Sequence, residues 1–82
     1  MDKTIHGQEY GEVIRLLCQL REAAGLRQLD LAERLAEPQS FVSKYETGER
    51  CLDIIELRTI CAELGTTLEA FIIAQLGGRL RA

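Results

Sequence analysis

The sequence has no tryptophan, a single proline, a single histidine, and aromatic residues at only 5% of positions. With so little proline and no alternating β-branched runs, a strand-rich fold is disfavoured and an all-helical one favoured. The three cysteines, Cys18, Cys51 and Cys61, are odd in number, and no two of them are separated by two residues. That spacing fits neither a disulfide framework nor a metal site, and His6 is the lone histidine available to help. No metal and no cofactor is therefore expected. Small core or boundary residues are the plainest reading of the cysteines, with Cys51, in a loop, the best candidate for a redox-sensing thiol. No nucleophile, base and orienter occur as a set, and no glycine-rich phosphate loop is present, so an enzyme is not expected. No apolar run approaches a membrane span and no signal-peptide pattern opens the chain, which makes a cytoplasmic protein the expectation.

Positive charge is also scarce. Ten Lys and Arg stand against 13 Asp and Glu, for a formal net charge of −3. Residues 27–50 repeat the deficit: Arg27, Arg34, Lys44 and Arg50 face Asp30, Glu33, Glu37, Glu46 and Glu49, a local sum of −1. A nucleic-acid partner would have to be held by a few well-placed cations, backbone amides and helix N-termini, with weak non-specific affinity.

What the chain does have is apolar spacing. Its 82 residues are 46% hydrophobic, enough for one small domain with a core, over residues 1–82 with tails at 1–8 and 77–82. Helix 1 is expected from about Tyr10 to Ala24, with Val13, Leu16, Leu17 and Leu20 as its core stripe and Gly25 as its stop. Asp53 and Glu56 form a capping-box pattern ahead of helix 4, whose buried face would be Ile54, Leu57, Ile60, Cys61 and Leu64 before Gly65 ends it. Thr67 is a suitable N-cap for helix 5, expected from Leu68 to about Leu76 and closed by Gly77 and Gly78.

The stretch Gln28–Gly48 organises the rest. Leu31, Ala32 and Leu35 make one apolar face of a helix over Gln28–Leu35. Pro38 suits a first helical turn, so a second helix can start at Pro38 or Gln39 and run to about Thr47, with Gly48 free to take the left-handed conformation. On a wheel of about 100° per residue, Gln39, Ser43, Ser40 and Lys44 fall within about 140° of one another, with Val42 and Tyr45 opposite. Hydrogen-bonding side chains of modest length on one face suit the reading of base edges in a groove.

The joint spacing resembles the helix-turn-helix of the Cro/lambda-repressor type, the XRE family. Gln28 matches the glutamine that opens the family's first motif helix, Ala32 the small residue at the helix crossing, and Val42 the buried aliphatic of the second helix. Tyr45-Glu46-Thr47-Gly48 resembles the aromatic-Glu-Asn-Gly ending, and Leu20-Arg21-Glu22-Ala23-Ala24-Gly25-Leu26 the lead-in. The resemblance spans about Tyr10 to Leu76 and departs at Ala36, where the family usually has glycine.

The resemblance implies a five-helix lambda-repressor-like domain, with its helix-turn-helix at about 28–47, and a sequence-specific DNA-binding transcriptional regulator, most often a repressor at a two-fold symmetric operator. Gln39, Ser40 and Lys44 fall where members contact bases, with Gln39 suited to adenine and Lys44 to guanine. Gln28, Ser43, Thr47 and Arg50 fall at or near backbone-contacting positions, and Arg27, in the loop ahead of Gln28, is expected either to join them on the phosphate backbone or to be solvated. Arg21 and Glu46 match an ion pair that members bury. Helix 5 carries surplus apolar surface, and Phe71, Ile72, Ile73 and Leu76 are expected to form the interface of a homodimer. An alternative on the same fold is an antitoxin-like protein-interaction module whose partner is a second, toxin-like protein.

Overall fold

A computed structural model of the chain describes residues 7–73. Its helices are α1 (Gln8–Ala23), α2 (Gln28–Leu35), α3 (Gln39–Thr47), α4 (Ile54–Glu63) and α5 (Leu68–Phe71), five in all among the described residues. Ile72 and Ile73 continue α5 as a π-helical turn. The expected end of helix 5 near Leu76, the Gly77-Gly78 stop and most of both expected tails lie outside the described residues.

Local chemistry sets the helix ends. At α4, the Asp53 carboxylate accepts from the Glu56 backbone N–H at 2.7 Å and Glu56 accepts from Asp53 N–H at 3.0 Å. This reciprocal box satisfies two of the amides that a helix start leaves unpaired. At α5 the Thr67 hydroxyl accepts from Ala70 N–H at 3.0 Å. The C-termini of α1, α2 and α4 close alike: a left-handed residue (Gly25, Ala36, Gly65) lets two amides turn back onto carbonyls of the last turn. Ala36, with φ of 57°, is the one described residue other than glycine with positive φ. α1 starts two residues earlier than its apolar stripe suggests, because Gly7 is extended and its carbonyl accepts from Gly11 N–H.

Every helix contributes to one core: Ile14 and Leu17, Leu31 and Ala32, Val42 and Tyr45, Ile60 and Cys61, and Phe71. Each large side chain removed from water stabilises the fold by about 1.5–3 kcal/mol before the entropic cost of ordering it. Ala32 is fully buried. A larger side chain there would overpack the close crossing of α2 and α3.

Two expectations about burial are corrected. Ile54 does not belong to the buried face of α4: it is 65% exposed. It shares a stripe with Leu57 and Cys61, but in the first turn of α4 both Ile54 and Ile55 stay exposed, and Ile54 edges a groove with Tyr10, Val13 and Leu52. Phe71, expected at a dimer interface, is only 1% exposed and closes the core of this single chain. Among consecutive Phe71, Ile72 and Ile73, the helical turn directs the first inward and the last outward, and Ile73 is 67% exposed. Leu76 lies outside the described residues.

Candidate nucleic-acid interface

The turn between α2 and α3 is compact because Ala36 reverses the chain. Its N–H bonds Glu33 O at 3.1 Å, and the Glu37 N–H bonds Ala32 O at 3.0 Å. Pro38 follows in extended conformation as the N-cap of α3, and its carbonyl accepts from Phe41 N–H at 2.9 Å. Proline has no amide to leave unpaired at that point. α3 then lies on the bundle with Val42 and Tyr45 fully buried. Gln39, Ser40, Lys44 and Thr47 are exposed, while Ser43 and Gln28 are half-buried. Phe41 and Tyr45 meet edge to face, with ring centroids 5.6 Å apart.

α3 is fixed to α1 by a buried ion pair. Arg21 Nε donates to Glu46 Oε2 at 2.8 Å and Arg21 Nη2 to Oε1 at 3.1 Å; the two side chains are 10% and 5% exposed. Arg21 Nη1 also donates to Leu26 O at 2.8 Å, tying the pair to the α1–α2 loop. The hydrogen bond to Glu46 holds the Arg21 guanidinium charged, well above its ordinary range. Cys18 sits against this pair, its Sγ 3.7 Å from Glu46 Oε1 and 3.5 Å from Arg21 Nη2. Burial foremost, and the Glu46 carboxylate next, push its thiol pKa up, which favours the neutral form.

From Glu46 the bonding continues outward. Gln28 Nε2 donates to Glu46 Oε1 at 2.9 Å, and Gln39 Nε2 donates to Gln28 Oε1 at 3.4 Å. The first residues of α2 and α3 are thus linked to one another and to the buried pair. Thr47 keeps its hydroxyl proton inside the helix, on Lys44 O at 3.1 Å, and its oxygen lone pairs stay outward.

The arginines are less free than the sequence suggests. Arg27 precedes α2, and its guanidinium donates twice to Asp30, at 3.0 and 2.9 Å, while its backbone N–H donates to the same carboxylate at 2.8 Å. These bonds bring the Asp30 pKa down to about 2. The i, i+3 spacing of Arg27 and Asp30 is a sequence signal for that pairing. Arg50 donates to both Glu56 oxygens, at 2.9 and 2.7 Å, and lies over the Phe41 ring, 4.7 Å from its centroid. A phosphate arriving at Arg50 would compete with Glu56 for it. The Gln28–Glu46 and Arg50–Glu56 contacts span 18 and 6 residues and have no periodic signature in the sequence.

Among the described residues, no three metal-ligating side chains gather, and no helix is long and apolar enough to cross a membrane. A helix-turn-helix family model matches residues 19–71. A solved structure described as an XRE-family like protein from Pseudomonas syringae pv. tomato str. DC3000 superposes with a TM-score of 0.85 at 44% sequence identity, covering 96% of this chain and 95% of that one.

The chain belongs to the XRE family of helix-turn-helix proteins. No curated protein matches it. Membership of the XRE family supports a DNA-binding transcription regulator in general terms, on a fold that is typically non-enzymatic. In this XRE protein α2 and α3 are the two helices of the motif, and the outward face of α3 carries Gln39, Ser40 and Lys44.

Proposed function

We propose that the protein is a cytoplasmic repressor that binds a two-fold symmetric operator as a homodimer, placing α3 of each subunit in the major groove. The observation that carries this reading is the division of α3: Val42 and Tyr45 are fully buried, while Gln39, Ser40 and Lys44 face solvent beside the N-terminus of α2. In this reading Gln39, Ser40 and Lys44 meet base edges, Gln39 pairing with adenine and Lys44 with guanine. Gln28, Ser43 and Thr47 hold the sugar-phosphate backbone and set register, and Arg27 and Arg50 join them when a phosphate draws them from Asp30 and Glu56. Ile72 and Ile73 supply the two-fold contact, together with Leu76, which lies outside the described residues. Half-sites would then lie about 34 Å apart, one turn of DNA.

Selection of binding sites from random duplexes tests the reading. Gln39→Ala should flatten preference at one base pair in each half-site, and Lys44→Ala at another, each by about 1–3 kcal/mol of discrimination. Arg27→Ala should weaken all sequences alike and lower the salt slope by about one phosphate. Ile73→Asp should shift sedimentation toward monomer and weaken operator binding with it. Wild-type base preference in Gln39→Ala at every position would overturn the assignment of α3 as the reader and favour a protein partner. A wild type that stays monomeric at high micromolar concentration, with and without operator, would overturn the dimer.

A further inference from the structure

We propose that Glu46 is a positioning residue for base reading: its buried carboxylate sets the polarity of the Gln28 and Gln39 amides, and so makes Gln39 select adenine. This rests on the reading of α3 given above. An ionised carboxylate accepts hydrogen bonds and donates none. Glu46 is locked in that role, because Arg21 bonds both its oxygens and its side chain is only 5% exposed. Gln28 must therefore turn its NH2 group toward Glu46, which it does at 2.9 Å. Its carbonyl oxygen is left pointing the other way and accepts from the Gln39 NH2 group at 3.4 Å.

The acceptor-only end thus orients two amides in series. One N–H of Gln39 is used on Gln28, and what remains for a base is its second N–H and its carbonyl oxygen. That donor and acceptor match the N7 acceptor and N6 amino donor of adenine in the major groove. Guanine offers two acceptors there, N7 and O6, so the fixed carbonyl would face O6 without a proton between them. An amide free to rotate about its last torsion, which is broad for glutamine, would lose this preset and the discrimination it brings. The Arg21–Glu46 pair then has a second duty beyond joining α1 to α3.

The test compares duplexes with A or G at the base pair that Gln39→Ala identifies, using purified wild type, Gln39→Ala, Gln28→Leu, Glu46→Gln and the double variant Gln28→Leu/Glu46→Gln. An amide at 46 no longer imposes an acceptor on Gln28. Glu46→Gln should lower the preference for A about fivefold or more, Gln28→Leu should do the same, and the double variant should be no lower than either. A merely structural Glu46 would weaken binding to both duplexes equally and leave their ratio unchanged, which overturns the proposal. Retention of the wild-type ratio in Gln28→Leu overturns it too; Gln28 lies outside the core, so this variant carries the test even if Glu46→Gln does not fold. If Gln39→Ala itself leaves base preference untouched at every position, α3 is not the reader, and the relay falls with that reading. If Gln39→Ala abolishes preference while the other two keep it, α3 reads and the relay alone is wrong.

Discussion

Arg21 and Glu46 lie 25 positions apart, yet their side chains meet through two bonds of 2.8 and 3.1 Å in a setting nearly closed to water. Removing either partner strands a buried charge. Arg21→Met and Glu46→Gln should each cost about 3–5 kcal/mol, several times a surface ion pair. The double variant Arg21→Met/Glu46→Leu should recover part of that loss, since no charge is then left alone. Urea melts of the three variants measure this; single-variant changes below about 0.5 kcal/mol, the range of ordinary surface sites, would remove the pair from the account of stability.

Ala36 is held at φ of 57°, a conformation that costs a residue with a Cβ about 1–2 kcal/mol. Ala36→Gly should relieve that cost, offset in part by the greater freedom of glycine in the unfolded chain. The net expectation is a gain of about 0.5–1 kcal/mol and a melting temperature higher by a few degrees. Thermal unfolding followed by circular dichroism decides it, and a lower melting temperature would contradict the strain.

The Tyr45 hydroxyl is the one buried side-chain polar atom among the described residues with no hydrogen-bond partner. Burial, and next the charge on Glu46, push its pKa above the ordinary value of 10. A desolvated hydroxyl without a partner costs about 1–3 kcal/mol. Tyr45→Phe keeps the ring and its edge contact with Phe41, so it should leave stability unchanged or raise it by about 1 kcal/mol. A loss above about 1 kcal/mol in denaturant melts would mean that the hydroxyl is satisfied in solution.

Asp30 titrates near 2 in the fold against an ordinary 3.8, chiefly because the Arg27 side chain and backbone donate to it. A carboxylate with a depressed folded pKa stabilises above its unfolded value, and that contribution is lost as pH falls through the folded one. Melting temperature should therefore drop between about pH 4 and pH 2, and Arg27→Met should drop less over the same window. Carboxyl chemical shifts of Asp30 followed by NMR should return toward the ordinary value in Arg27→Met. An unchanged titration would dismiss the pairing.

The sequence made the helices legible where local chemistry marks their ends. Asp53 with Glu56, Thr67, Gly25, Gly48 and Gly65 are caps and stops whose reasons are confined to a few neighbouring residues, and the structure uses each of them. The opposed faces of α3 were legible for the same reason, because one turn of helix sets them. Contacts that depend on the path of a loop were not. The bond from Gln28 to Glu46 needs α2 and α3 already crossed, and the seat of Arg50 between Phe41 and Glu56 needs the loop after Gly48 already folded back. Periodicity also misplaced Ile54, because a stripe says which way a residue points and not where the core stops. In Phe71-Ile72-Ile73 three apolar neighbours in a row carry no period, and only packing distinguishes the inward one.

The split between the faces of α3 has a bearing on how such a protein changes over generations. Ser40 and Lys44 project from the scaffold, while Val42, Tyr45 and Glu46 carry the helix's attachment to it. Mutational drift at positions 40 and 44 leaves the core and the ion pair intact, so, on the proposed reading of α3 as the base reader, a lineage could retarget to a new DNA site in single steps without first accumulating spare stability. A library randomised at those two positions should be mostly folded, which makes this helix a practical starting point for engineered recognition.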